Sequence, residues 1–289
     1  MESGELKGIL AKRLSVGVAS IELRRVGGGC INDCYRVQSK KTAFFCKANS
    51  ATKFPQLLLK EKNGLELLKK QSVIGVPAVI DFFEEAGMQF LILEWIEQGS
   101  RNEDFWKRFG EQLAALHSRS SDTFGLEEDN FMGSIPQSNT QNEEWSSFFI
   151  EQRLKPLVKK SEVQQLLTAK HIKLFEKIYD RIPELFNDNQ KPALVHGDLW
   201  SGNFMCNAQS LPVLVDPAPY YGHPSVDLGM STLFGGFHHL FYESYNYHSP
   251  FPSHFNEQWK VSNLYPLLIH LILFGKGYIE QIEETLGMV

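Results

Sequence analysis

Cysteine is scarce in this chain: four residues in 289, Cys30, Cys34, Cys46 and Cys206, with no CxxC pair. So few thiols in so long a chain exclude a disulfide framework and point to a reducing compartment, cytosol or organelle stroma. There is no long basic run, and the formal net charge is −5. Nucleic acid and anionic membrane are therefore not expected partners. The longest apolar stretch towards the C-terminus, residues 264–274, contains His270 and is too short to span a bilayer. Residues 1–12 are mixed and charged, unlike a signal peptide. No internal repeat or low-complexity tract occurs. Two nucleotide-binding signatures are missing as well. Phe274-Gly275-Lys276-Gly277 lacks the Walker A spacing and follows no strand, and Gly27-Gly28-Gly29 belongs to no GxGxxG and opens no helix.

What is present is the segment His196-Gly197-Asp198-Leu199-Trp200-Ser201-Gly202-Asn203, followed by Leu214-Val215-Asp216-Pro217-Ala218. Asp198 and Asn203 are five apart, the spacing of the kinase catalytic loop H-x-D-x-x-x-x-N. Phosphoryl transfer needs positioning and charge neutralisation more than covalent chemistry. One carboxylate facing the nucleophile and two oxygen ligands for a metal are the minimum set. Asp198 is the candidate base, and Asn203 and Asp216 are candidate ligands for Mg2+ on ATP. The apolar run 211–215 reads as a strand of a short hairpin that returns Asp216 to the loop. His196 reads as a residue that positions backbone.

With 43% hydrophobic residues, the chain can build one large domain or two lobes. Residues 1–97 read as a sheet with one helix. The strands are 21–26, 34–38 and 43–48, with a hairpin of 77–83 and 88–95 turned at Glu85-Ala86-Gly87. The leucines of 56–70 recur at helical period. Gln98-Gly99-Ser100 marks a hinge. Beyond it, residues 98–289 are mainly helical, with helices at 102–117, 144–160 and 163–179, and a polar, loop-rich insertion at 118–142. The expected fold class is thus α+β: a protein-kinase-like bilobal fold, with a small antiparallel-sheet N-lobe binding the ATP phosphates. The larger helical C-lobe would carry the catalytic loop, metal and acceptor sites.

That architecture assigns further residues. Gly27, Gly28, Gly29 and Asn32 form a turn whose N–H groups can approach phosphate oxygens; its other reading is a plain tight turn. Lys47 ends an apolar strand and is the candidate grip on the phosphates, with Glu61 as its helix partner. Glu94, Trp95 and Ile96 form the connecting strand that would meet the adenine. Asp227 is expected to open and cap a helix and to steady the catalytic loop. Only ten residues separate Asp216 from Asp227, with no A-P-E, and Gly197 stands where protein kinases have Arg. A peptide-docking activation segment is therefore excluded, and small-molecule kinases of the aminoglycoside and choline type fit better. Cys30, in the Gly-rich turn, is either a small residue tolerated there or an oxidisable thiol able to link two protomers. Trp200 is either a floor under a substrate or a core aromatic. His238 and His239 are either helix packing or acceptor lining, and His117 is a helix C-terminal cation or buried donor.

The chain closely resembles the fructosamine kinase (ketosamine-3-kinase) family. The resemblance is carried by Gly27-Gly28-Gly29-Cys30-Ile31-Asn32, the segment 196–203, Asp216-Pro217-Ala218, Leu233-Phe234-Gly235-Gly236-Phe237 and the run 264–275. The insertion resembles it too, through Phe124-Gly125, Gly133-Ser134-Ile135-Pro136-Gln137-Ser138-Asn139 and Trp145-Ser146-Ser147-Phe148-Phe149. It spans nearly the whole chain. The family usually has an acidic residue two before Asp227, where this chain has Ser225. The resemblance implies ATP-dependent phosphorylation of the sugar 3-hydroxyl of a ketosamine, a ribulosamine or fructosamine on an amine or a protein lysine, leading to protein deglycation. A monomer or homodimer is expected. The alternatives are another small-molecule kinase on the same fold, or a catalytically silent nucleotide-binding module.

Overall fold

The computed structural model describes residues 3–27, 31–40, 42–187 and 189–287. The N-terminal lobe is a five-stranded antiparallel sheet of β1 (Ile21–Val26), β2 (Asp33–Ser39), β3 (Thr42–Ser50), β4 (Val79–Glu85) and β5 (Met88–Glu94), in the order β1-β2-β3-β5-β4. Two helices cover it, α1 (Ser3–Arg13) and α2 (Leu57–Lys70). Strand period two divides the side chains between them. Cys46, Ala48, Phe90 and Ile92 face α1, packing on Leu6, Ile9 and Leu10. Leu91 and Leu93 face α2, packing on Leu58 and Leu65. Lys47 pairs in register with Leu91, so alternation puts it on the α2 face. The sequence reading expected one helix in this lobe. The second, α1, carries apolar residues at i, i+3 and i+4 over a single turn only, too brief a pattern for periodicity to reveal.

The second lobe holds α3 (Glu103–His117), the hairpin β6 (Asn130–Met132) and β7 (Ile135–Gln137), α4 (Trp145–Phe148), a π-helical turn at Phe149–Leu154, α5 (Lys155–Val163) and α6 (Ala169–Leu185). Three-residue strands β8 (Ala193–Val195), β9 (Phe204–Cys206), β10 (Pro212–Leu214) and β11 (Tyr220–Gly222) frame the site loops. Helices α7 (Ser225–Leu233), α8 (His239–His248), α9 (Phe255–Ser262), α10 (Leu264–Phe274) and α11 (Ile279–Gly287) complete it. The helix expected at 163–179 starts later, because Thr168 and His171 form a capping box there, and it runs on through Pro183. The insertion at 118–142 contributes the β6–β7 hairpin.

Backbone contacts fix the connection between the lobes. Gly99 N–H donates to Cys206 O at 2.9 Å, and Gln98 bridges Asn207. A Cβ on Gly99 would lie 2.0 Å from Asn207 O, so glycine serves close approach there. Leu214 N–H donates to Gly75 O at 2.8 Å. Leu68 of α2 and Ile74 join the C-lobe cluster of Phe105, Phe109 and Leu214. The C-terminal end of α2 is thus part of the second lobe's core.

Candidate active site

The segment 196–203 enters from β8 and leaves into β9. Its backbone is held from behind. Asp227, fully buried in the first turn of α7, accepts from His196 N–H at 2.6 Å and Gly197 N–H at 2.9 Å, and its Oδ2 lies 3.1 Å from His117 Nε2. Burial pushes its carboxyl up, but the contacts with His117 and His196 together outweigh this and hold it below the usual range. The residue before α7 is Pro224, so Asp227 does not occupy the cap position expected of it; its oxygens serve the loop instead. His117 is a buried partner: its Nδ1 contacts Tyr245 Oη at 2.8 Å. His196 Nε2 donates to Val215 O at 2.9 Å, which leaves Nδ1 to accept from Asp198 N–H at 3.3 Å. Gly197 has φ +83, and a Cβ there would meet Ala218 O at 2.1 Å, so only glycine fits the turn.

Asp198 and Asn203 are brought together. Asn203 Nδ2 donates to Asp198 O and Asp198 Oδ2, both at 2.8 Å. The amide nitrogen is committed to Asp198, which leaves the amide oxygen for a cation. Burial, then the Asp216 charge, pushes the Asp198 carboxyl up to about 7. Asp216 has φ +55 and a half-exposed side chain. Lys47, only 2% exposed, meets both lobes: its Nζ is 2.7 Å from Glu61 Oε1 and 2.7 Å from Asp216 Oδ1. Burial pulls the ammonium down, but the two carboxylates outweigh it and hold it charged. Burial pushes the Glu61 carboxyl up against the pull of Lys47.

These groups face a cavity of about 200 Å³. Asn32, Lys47, Glu61, Asp198, Asn203 and Asp216 line it. Asn32 accepts from Asn49 Nδ2 at 2.6 Å. Gly27 lies outside the cavity wall, and Gly28, Gly29 and Cys30 lie outside the described residues. Glu94, Trp95 and Ile96 do not line the cavity either. Glu94 accepts from Ala78 N–H at 3.1 Å, and the Trp95 ring lies under Arg36, 4.8 Å from its guanidinium. Trp200 is 37% exposed, packs edge-on to Phe234 at 6.0 Å, and lines the cavity. Of its two readings, this placement favours the floor under a substrate. His238 caps α8 and stacks on Trp106 at 6.1 Å; it does not line the cavity, and neither does His239. Ser225 is buried among His223 and Ser262, also away from it.

Sequence reasoning missed the cavity's other wall: Phe131 and Met132 of β6, Gly133, and His270, Leu273 and Phe274 of α10. It also missed the network that fixes the hairpin. Arg153, fully buried in the π-helical turn, stacks 4.1 Å from the Tyr220 ring centroid and donates to Ser138 O and, at 2.7 Å, to Asn139 Oδ1. Asn130 Nδ2 donates to Pro219 O at 2.8 Å and Gln137 Nε2 to Ala218 O at 3.2 Å. A bulge of one residue in a helix at 149–154 was the only available signal, and no hydrophobic period reveals it.

Among the described residues, no cluster of three or more His, Cys, Asp or Glu side chains could hold a metal alone. Mg2+ does not need one: it takes one or two protein oxygens and completes its shell with phosphate and water. The oxygen donors Asn203 and Asp216 fit that demand. No helix of the described residues is long and apolar enough to cross a membrane.

The family model described as fructosamine kinase matches residues 5–289. A Synechocystis protein named probable ketoamine kinase is 40% identical over 270 residues, covering 92% of this chain and 89% of the relative. The chloroplastic protein-ribulosamine 3-kinase of Arabidopsis thaliana is 37% identical, over 88% of this chain and 78% of its own. The crystal structure of a candidate fructosamine-3-kinase from Thermobifida fusca has TM-score 0.88 at 28% identity, over 99% and 98% of the two chains. An aminoglycoside phosphotransferase and a choline kinase from Streptococcus pneumoniae, 12% and 16% identical, have TM-scores of 0.68 and 0.64 over at least 96% of each chain. At that identity they show a shared protein-kinase-like fold and no more.

Proposed function

The chain belongs to the fructosamine kinase family, and from that premise we propose that it transfers the γ-phosphoryl group of ATP to the 3-hydroxyl of ketosamines. The acceptors are ribulosamine or fructosamine adducts of amines and protein lysines, and the outcome is deglycation. The observation that carries this reading is the buried Lys47, met at 2.7 Å by carboxylates from both lobes beside the Asp198–Asn203 pair. A fixed ammonium, a proton acceptor and two metal-ligand oxygens on one cavity are what phosphoryl transfer requires.

In this reading residues 1–97 bind the phosphates and residues 98–289 supply the chemistry. Lys47 neutralises phosphate oxygens, and Glu61 keeps it extended towards them. Asp198 Oδ1 orients the sugar hydroxyl and takes its proton, while Asn203 fixes Oδ2. Asn203 Oδ1 and Asp216 hold Mg2+, which when bound neutralises charge on the phosphates. Gly27, Gly28, Gly29 and Asn32 close over the nucleotide, and Glu94, Trp95 and Ile96 border the adenine. Trp200, Phe131 and Phe274 present apolar faces to the acceptor and help exclude water. The three described cysteines, Cys34, Cys46 and Cys206, are buried and free, which suits a reducing compartment.

The test is ATP consumption with magnesium on a ribulosamine, a fructosamine, an aminoglycoside and choline, with Asp198→Ala as control. Turnover on the ketosamines that disappears in the variant is the expected result. Turnover only on the other alcohols removes deglycation while keeping the mechanism.

A further inference from the structure

Helix α2 carries Glu61, and the chain secures it unevenly. Its C-terminal end is built into the second lobe through Leu68 and the Gly75–Leu214 contact. Its middle abuts the segment after Asp216: a Cβ on Gly64 would lie 2.9 Å from Pro219 Cδ. The N-terminal half is capped weakly. Its cap position, Gln56, is left-handed and offers no side-chain bond, and the first turn has no acidic residue. Instead Gln89 Oε1 accepts from Leu58 N–H at 2.9 Å, a contact inside the N-lobe.

The insertion lies against α2 through β6, and one of its residues bonds this half of the helix. Glu128 Oε2 lies 2.7 Å from Lys60 Nζ, and its Oε1 accepts from Asn63 Nδ2 at 3.0 Å. Lys60 and Asn63 flank Glu61, one residue before and two after. The pair is partly shielded, with Lys60 18% and Glu128 38% exposed at the side chain, so it escapes much of the screening that weakens surface pairs. Glu128 is itself anchored. Its carbonyl accepts from Asn139 Nδ2 at 3.0 Å, and Asn139 Oδ1 accepts from the buried Arg153. Two residues on, Asn130 begins the strand whose Phe131 and Met132 line the acceptor side of the cavity. Lys60 and Asn130 also border a second cavity behind α2, which Glu128 lines.

We propose that Glu128 is a positioning residue: it fixes the Glu61-bearing half of α2 to the β6–β7 insertion and so couples acceptor binding to nucleotide binding. An acceptor that packs on Phe131 and Met132 bears on the hairpin that carries Glu128; through Glu128 the hairpin holds Lys60 and Asn63, and these hold Glu61 where Lys47 needs it. Coupling of this kind is reciprocal, so nucleotide tightens acceptor by the same factor. The proposal rests on the ATP-dependent reading above.

The experiment is calorimetry of a non-hydrolysable ATP analogue with magnesium, with and without saturating ribulosyllysine, on three proteins. These are the wild type, Glu128→Gln, and the exchange Lys60→Glu/Glu128→Lys, in which Asn63 can present its amide oxygen instead of its nitrogen. Wild type is expected to bind the nucleotide more tightly with acceptor present. Glu128→Gln is expected to bind it roughly tenfold more weakly, within the usual span of coupled sites, and to lose the acceptor enhancement. KM for ATP rises while kcat changes less, and the melting temperature stays close to wild type. The exchange restores both affinity and enhancement. Glu128→Gln with wild-type affinity and intact enhancement overturns the proposal. So does a loss that tracks a fall in melting temperature and is not recovered by the exchange. Wild type that binds no nucleotide overturns the functional reading itself, and this one with it.

Discussion

On one side of the cleft, Asp198 hangs from a loop whose backbone is bonded to a single buried carboxylate, Asp227, within the same lobe. On the other, Lys47 is held by carboxylates from two separate segments, Glu61 on α2 and Asp216 beyond β10. The first arrangement depends on one lobe's packing and is set before any ligand arrives. The second depends on how the lobes meet and on charge. Preorganised geometry belongs where a proton must move; an adjustable grip belongs where a polyanion enters and leaves. Variants on the two sides should therefore fail differently.

The largest separation is expected from Asp198→Ala. Loss of a positioned base should cost ~10²–10⁴-fold in kcat with nucleotide affinity intact, measured by steady-state kinetics and calorimetry. A mild effect would remove Asp198 from the chemistry. Lys47→Met should do the converse: about 10²-fold in kcat/KM for ATP, because two carboxylates lose their shared cation, with most of it in KM. Asp227→Asn replaces an acceptor oxygen facing backbone N–H with a donor. About 2 kcal/mol of stability should go, read as a lower denaturant midpoint at unchanged slope, and kcat should fall more than KM.

A pH profile sharpens the contrast. Burial and the Asp216 charge push the Asp198 carboxyl up to about 7, so as pH falls it takes up its proton well above the usual carboxylate range and cannot accept another. The acid limb of kcat/KM is therefore expected above the usual carboxylate range, with a tenfold fall per pH unit along it; residual activity of Asp198→Ala that keeps the same limb would show that the limb belongs to another group. The smallest effect is expected from Gly64→Ala. On an open helix face this change stabilises by up to ~1 kcal/mol. Here the new methyl meets Pro219 at 2.9 Å, pushes α2 and should raise KM for ATP a few-fold.

The readable part of this site was the part whose meaning lies in local spacing. The interval between Asp198 and Asn203, a lysine in an apolar strand and a glutamate in the following helix are all patterns within a few residues. The sheet was legible for the same reason: each of its five strands alternates or runs apolar between turns. The acceptor wall was not. Phe131, Met132 and Phe274 look like any core residues until the hairpin and α10 are brought face to face. Glu128 stands in the run Glu127-Glu128-Asp129, where nothing distinguishes one carboxylate from its neighbours. Arg153 reads as a surface cation, and only the rings of Phe148, Tyr220 and Tyr265 around it explain its burial. At Gln98-Gly99-Ser100 the glycine also serves close contact with Asn207, a role that local spacing does not reveal.

That contact bears on the tempo of the enzyme. With Gly99 fastened to Cys206 and Gly75 to Leu214, the stretch between β5 and the Gln98 bridge that lies outside backbone pairing is residues 95–97. A change in cleft width would draw first on the backbone dihedrals of those three positions. In many kinases the slow event of each cycle is the departure of ADP through such an opening. A substitution that stiffens residues 95–97 is therefore expected to slow product release while leaving the chemical step at Asp198 unchanged.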